Sequence, residues 1–160
     1  GSVKPYELNI TWASMLSDPE LDTDSYIRKI VNSHAIVMFF PGIGAHYFHN
    51  FFGTLNWTEG FKLSGIARRL NRKKMKIPLE MDDASLEIRD GLIKLINFKS
   101  SKKSFSPTSH FRPLNLHPKC LSFERSCENE KIEVYLNLSS EKLIINNKTL
   151  LPYDLIFEII

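Results

Sequence analysis

Seven basic residues, Lys62, Arg68, Arg69, Arg72, Lys73, Lys74 and Lys76, fall within one fifteen-residue stretch. Guanidinium and ammonium groups at that density suit a phosphate or carboxylate, a nucleic-acid backbone, or solvent alone on a charged face. Single-stranded nucleic acid is held where aromatic side chains interleave with the charges and stack on bases. Between Phe61 and Lys76 there is no aromatic residue, so no nucleic-acid partner is expected. Upstream, His46, Tyr47 and His49 sit in a mostly apolar run. An imidazole can exchange protons near neutral pH, but one in an apolar segment serves equally well as a hydrogen-bonded core residue.

Carboxylates are present at Glu7, Asp18, Glu20, Asp22, Asp24, Glu59, Asp82 and Asp83, mostly in turns or at helix starts where capping accounts for them. Asn56 followed by Glu59 reads as a capping box, which makes Glu59 a cap and not a catalytic acid. Cys120 and Cys127 are the only cysteines. Without histidines at ligand spacing they read as two reduced core thiols, neither a zinc site nor a disulfide framework. No nucleophile motif or phosphate-cradling glycine loop appears. Neither a metal nor a cofactor is expected.

The elements that must position these groups follow from composition and pattern. A chain of 160 residues, 42% hydrophobic and with a net charge of +3, has enough apolar material for one ordinary domain or two small ones. Its longest apolar run, residues 35 to 40, is far shorter than the roughly 20 residues a membrane span needs. No membrane partner is expected, and a cytoplasmic location is the default. Gly1-Ser2 has the look of a remnant of tag removal, which would start the natural sequence at Val3.

Residues 6 to 12 alternate weakly, as a short strand does. A helix is expected from Thr23 or Asp24, with Tyr26, Ile30, Val31 and His34 at helical spacing and an end, residues 35 to 40, that is apolar all round and must be buried. Pro41-Gly42 stops it, and residues 43 to 48 read as a buried strand following its crossover helix. A second helix begins at Asp82 and Asp83, with Ala84, Ile88, Leu92, Leu95 and Ile96 in one stripe and Lys99 toward its negative end. Residues 104 to 108 read as a linker. Five short strands follow, at residues 111 to 116, 120 to 125, 132 to 138, 143 to 145 and 155 to 160.

Several phrases in this order resemble a known family: Pro5-Tyr6-Glu7-Leu8-Asn9, Pro41-Gly42-Ile43 through Tyr47-Phe48-His49, Gly53-Thr54-Leu55-Asn56, Gly65-Ile66-Ala67-Arg68-Arg69-Leu70-Asn71-Arg72, and Leu121-Ser122-Phe123-Glu124-Arg125. They are similar to the C-terminal part of glycoside hydrolase family 13 proteins of the sucrose phosphorylase-like branch, which includes glucosylglycerate phosphorylases. Leu151-Pro152-Tyr153-Asp154 likewise resembles the family's last strand. Gly44, where the family typically has proline, and His46, where an apolar residue is usual, depart from it.

The resemblance implies an α/β plus all-β fold: the last βα units of a (β/α)8 barrel over residues 3 to 104, then a small antiparallel β-sandwich domain over residues 109 to 160. It implies a retaining double displacement between two carboxylates roughly 5 Å apart, with α-glucoside and phosphate as ligands of the parent enzyme. Those carboxylates would lie before Val3, so no catalytic residue is assigned here. Arg68 is the expected contact on the phosphate or acceptor side, with Tyr47 and His49 as further substrate-binding candidates. Pairing of Arg68 with a nearby acid such as Glu59 is the structural alternative. The expected partner is the missing N-terminal barrel portion, or a second copy through open barrel edges. A non-enzymatic remnant serving as a structural, carbohydrate-binding or interaction module is the alternative function.

Overall fold

The structure is a computed structural model that describes residues 7–160. Part of the Pro5 phrase, and the start of the expected first strand at Tyr6, lie outside the described residues. Residues 7 to 11 carry no regular structure, and Trp12 opens a short helix, α1 (Trp12–Leu16). Thr11 caps it through a hydrogen bond from the Ser14 N–H, and a capped turn takes the place of the expected strand.

Helix α2 (Thr23–Ser33) starts one residue after its cap, Asp22, whose carboxylate accepts from both Ser25 N–H and Ser25 Oγ at 2.8 Å. Ile27, Ile30 and Val31 are its buried face. The helix does not run on through the apolar stretch. The helix is interrupted at His34, and α3 (Ala35–Phe39) follows with Ala35, Met38 and Phe39 buried and Val37 exposed. Helix α4 (Phe48–Phe51), α5 (Thr58–Ser64) and a 3-10 turn (Ala67–Arg69) follow before the long α6 (Asp83–Ser100). Asp82 caps α6, and Ile88 and Leu92 are buried while Ala84, Leu95 and Ile96 pack at the edge of the same core, as their spacing requires. Gly91 lets α2 come close: a Cβ there would lie 2.9 Å from a Val31 methyl.

The C-terminal third forms a four-stranded antiparallel sheet in the order β1 (His110–Pro113), β2 (Cys120–Cys127), β3 (Glu130–Asn137), β6 (Leu155–Ile159). A separate hairpin, β4 (Leu143–Ile145) with β5 (Lys148–Leu150), accompanies it. Strand β5 goes beyond the five strands expected. Its turn is Asn146-Asn147, both in the left-handed region with φ of 49° and 62°, the form a two-residue hairpin takes.

Alternation along β2 and β3 sends side chains to two cores. Phe123, Ile132, Val134 and Leu136 meet α2, α3 and α6, whereas Cys120 and Tyr135 pack with Leu143, Ile145 and Leu150 of the hairpin. Residues 104 to 108, expected to be a linker, open with a 3-10 turn (Lys103–Phe105) that buries Ser104 and Phe105 completely. Phe105 lies 4.6 Å from Phe39 between ring centres, and the Ser104 N–H donates to Glu130 Oε1 at 2.8 Å.

Residues 43 to 47 are not a strand, and Phe48 already belongs to α4. A parallel strand takes its ladder from neighbours, and every strand pair among the described residues is antiparallel and lies in the C-terminal third.

Candidate functional site

The segment after α3 is pinned at three points. Phe40 stacks on Phe123 at 5.1 Å and meets Phe111 edge-on at 5.3 Å. Gly44 folds back onto the end of α3, so closely that a Cβ would sit 2.7 Å from the Val37 carbonyl oxygen. His46 then lies against His34, with ring centroids 5.4 Å apart. His34 Nδ1 is 2.8 Å from the Ile30 carbonyl, and its Nε2 is buried without a partner among the described residues. Burial holds both imidazoles below the usual histidine range. Their mutual repulsion adds to this at His34, and Lys99 adds to it at His46.

Tyr47 and His49 come together. Tyr47 precedes the first turn of α4 and is half-exposed, its hydroxyl 3.5 Å from the Asn71 carbonyl in the basic turn. Its ring centre is 5.2 Å from that of His49, which Phe48 flanks at 5.7 Å. His49 is buried, and its Nδ1 has no hydrogen-bond partner among the described residues. Burial first, and the charge of Lys73 second, lower its pKa. The outcome is a neutral imidazole whose Nδ1 is enclosed and unpartnered, behind a half-exposed phenol whose hydroxyl can give or accept a hydrogen bond.

Arg68 lies on the 3-10 turn, and its polar partner is Glu7, with Nε to Oε1 at 2.7 Å. The hydrogen bond from Arg68, with further attraction from Arg68 and Arg72, holds the Glu7 carboxyl below its ordinary range. Arg68 thus pairs with a nearby acid, as the structural alternative had it, but the acid is Glu7, and Glu59, named there as an example, sits in the first turn of α5. The capping box also fails to form, because Asn56 is used elsewhere: its Oδ1 accepts from Thr11 N–H and its own N–H donates to Ser14 Oγ, both at 2.8 Å. Asn56 thereby ties the α5 approach to α1, and Trp57 N–H reaches the Leu70 carbonyl at 2.8 Å to fold the basic turn back on it. Lys73, Lys74 and Lys76 line an open cleft of about 280 Å³ with Met75, Leu79 and Glu80.

The structure therefore joins Tyr47 and His49 and brings the far end of the basic turn, Asn71 and Lys73, beside them. Arg68 points to the chain's beginning at Glu7. Among the described residues, no group of three or more histidine, cysteine or acidic side chains could hold a metal ion, and no helix is long and apolar enough to cross a membrane.

One charged residue stands inside the Leu121 to Arg125 phrase. Arg125 on β2 is completely buried and donates to backbone carbonyls of three segments. The signal was in the alternation: Leu121, Phe123 and Arg125 are spaced by two and share the core-facing side of one strand, where a charge is out of place.

No family model matches the sequence. Curated relatives are similar to it. The glucosylglycerate phosphorylase of Escherichia coli K12 is 29% identical over 166 aligned positions, covering 99% of this chain and 30% of that protein. The glucosylglycerate phosphorylase of Spirochaeta thermophila is 32% identical over 109 positions, covering 64% of this chain and 19% of that protein. Among solved structures, the sucrose 6F-phosphate phosphorylase of Thermoanaerobacter thermosaccharolyticum matches with a TM-score of 0.62 at 17% identity, over 84% of this chain and 27% of that one. The chain thus spans less than a third of the length of these proteins.

Proposed function

The chain corresponds to the C-terminal part of a glycoside hydrolase family 13 protein of the sucrose phosphorylase-like branch, and from that premise we propose that it is the phosphate-side and acceptor-side portion of a glucosyl-transferring phosphorylase acting on α-glucosides. The observation that carries this reading is a likeness running along 99% of the chain to a glucosylglycerate phosphorylase more than three times as long.

In a retaining mechanism one carboxylate attacks the anomeric carbon, a second acts as acid and base, and the acceptor takes the sugar from the covalent intermediate. In this reading both carboxylates belong to the part of the parent enzyme that precedes these residues, and the chain alone is inactive. The Tyr47 hydroxyl supplies hydrogen bonds to sugar hydroxyls, with His49 packed behind it in the wall of the site. The basic turn supplies charge to incoming phosphate, with Arg68 the contact for the anion. Arg68 is half-exposed and its bond to Glu7 is a rim ion pair, which contributes little and yields readily to a phosphate.

The same reading accounts for the apolar side chains left uncovered between α3 and the start of α6. Ile43, Phe48, Leu55, Leu63 and Ile66 are all exposed, and the N-terminal barrel portion of the parent enzyme would cover them. A non-enzymatic sugar-binding module is less well supported, because the sheet aromatics Phe111, Phe123, Tyr135 and Phe157 lie in the two cores or pack against them.

The test is phosphate-dependent release of glucose 1-phosphate from glucosylglycerate or sucrose. The purified chain should release none, and joining it to the N-terminal portion of the Escherichia coli relative should restore turnover. Activity of the chain alone, or a folded but inert hybrid, would overturn the proposal.

A further inference from the structure

Arg125 is the one fully buried cationic side chain among the described residues. Its Nη1 donates to the Phe39 carbonyl at 2.7 Å, Nη2 to the Ser106 carbonyl at 2.6 Å and the Ser109 carbonyl at 3.4 Å, and Nε to the His110 carbonyl at 3.3 Å. Among the described residues none of its partners is a carboxylate, and it takes part in no ion pair. A buried charge without a counter-ion is expensive, and here the offset comes from carbonyl dipoles in a fork that only a guanidinium can span. A hydrophobic side chain of similar volume would fill the same space, so packing alone does not explain an arginine.

What the arginine adds is connection. Phe39 ends α3, and its carbonyl is one of the acceptors that a helix end leaves free. The chain then runs through Phe40 and Gly44 to His46, Tyr47 and His49. Beyond Phe40, the contacts of this stretch are with α2, α3 and α6, or within the segment and the basic turn. The Phe39 carbonyl is thus the main-chain point at which the sheet grips this segment, and the stacking of Phe40 on Phe123 reinforces it.

We propose that Arg125 is a positioning residue, which fixes the segment bearing Tyr47 and His49 relative to the β-sheet through the Phe39 carbonyl. For its catalytic meaning this rests on the reading of that segment as a substrate wall. The mechanical coupling stands on the hydrogen bonds alone, and it is measurable without any phosphorolysis assay, so the two can fail separately.

The experiment compares Arg125→Lys with Val134→Ala in the whole chain. Val134 is equally buried, and its apolar side chain can donate no hydrogen bond to the segment's backbone. Amide exchange is read at Asn50 and Thr54, whose N–H groups bond to the Tyr47 and His49 carbonyls. Arg125→Lys should speed that exchange about tenfold relative to strand β3, roughly the net worth of one lost hydrogen bond. It should also move the His49 titration, followed by NMR, up toward the ordinary histidine value as the ring hydrates. Val134→Ala should weaken the molecule generally while leaving the His49 titration in place. Equal patterns for the two variants, or no change at Asn50, Thr54 and His49 in Arg125→Lys, would overturn the proposal. If Arg125→Lys fails to fold, native-state exchange of the unaltered chain decides. The Arg125 Nε–H and the Asn50 and Thr54 amides must then lose protection in one opening event as urea rises, and separate openings refute the coupling.

Discussion

The two halves of the molecule use the same kinds of side chain to opposite ends. In the layer between α2, α3, α6 and the sheet, Ile30, Phe39, Leu92, Ile132 and Val134 are all 0% exposed, whereas Ile43, Leu63 and Ile77 in the stretch between α3 and α6 are 91%, 85% and 92% exposed. Hydrophobicity does not separate them. What separates them is that the first group is enclosed between helices and sheet, while the second meets no such layer among the described residues. The antiparallel strands carry their own partners within the C-terminal third, β2 and β3 joined by one tight turn and β6 reached past the β4–β5 hairpin. A segment patterned for a parallel strand needs neighbours far away in sequence, and without them its backbone takes other partners and its apolar side chains stay in water.

Core truncation should break this contrast most visibly if it is wrong. Phe39→Ala removes a ring that meets Phe98, Phe105 and Phe157 and should lower stability to urea by about 3–5 kcal/mol. Ile43→Ala, made at a 91%-exposed site, should stay within about 0.5 kcal/mol of the parent. Equal losses would mean that the exposed segment is packed in solution by something the chain itself provides.

The helix layer depends next on its caps. Replacing Asp82 by alanine removes the acceptor for Ser85 N–H at the start of α6 and should cost about 0.5–2 kcal/mol in the same assay. A negligible loss would show that α6 is held by burial of Ile88 and Leu92 alone.

Acid should find the segment before the sheet. His34, His46 and His49 all have folded pKa values below 6.5, chiefly through burial. A group whose folded pKa is depressed is protonated more readily in the unfolded chain. Its stabilising contribution is therefore full above about pH 6.5 and is lost as pH falls through the folded value. Thermal midpoints should drop from about pH 6.5 downward, well before the carboxylates of Asp82, Glu124 and Glu130, depressed from ordinary values of 3.8, 4.5 and 4.5, begin to titrate. Triple replacement of the histidines by glutamine should flatten that first drop, and a drop unaltered by the replacement would remove the imidazoles as its cause.

The smallest effect on stability is expected at the rim. Arg68→Gln breaks only the exposed pair with Glu7 and should leave the thermal midpoint unchanged, while in the hybrid enzyme it should raise the KM for phosphate. An unchanged KM would return Arg68 to the status of a surface ion pair.

Much of this was legible along the chain. The stripe of Ala84, Ile88, Leu92, Leu95 and Ile96, with acid at one end and Lys99 at the other, marks α6 because period and capping are local properties. The strands were legible for the same reason, and the phrase around Arg68 and the one around Tyr47 and His49 pointed to the right relatives. The strand at residues 43 to 48 was misread because alternation and aromatic content describe a strand's faces and say nothing of whether a ladder partner is at hand. Asn56 and Glu59 satisfied the spacing of a capping box, but Asn56 found a tertiary partner in Thr11, and a side-chain amide can serve only so many groups.

The sequence alone determined α6, the start of α2, most of the strands and the kinship with sucrose phosphorylase-like proteins, since each of these is encoded in residues close together or in phrases that survive as text. Tertiary structure alone decided that Arg68 meets Glu7 and that His49 is buried beside Tyr47 with a nitrogen to spare. It alone decided that Arg125, read at first as one letter of a phrase, is buried at the junction of sheet and helices. Those outcomes depend on which distant segment arrives at a given side chain, and hydrogen bonds between residues as far apart as Arg125 and Phe39 are settled by how the layers pack.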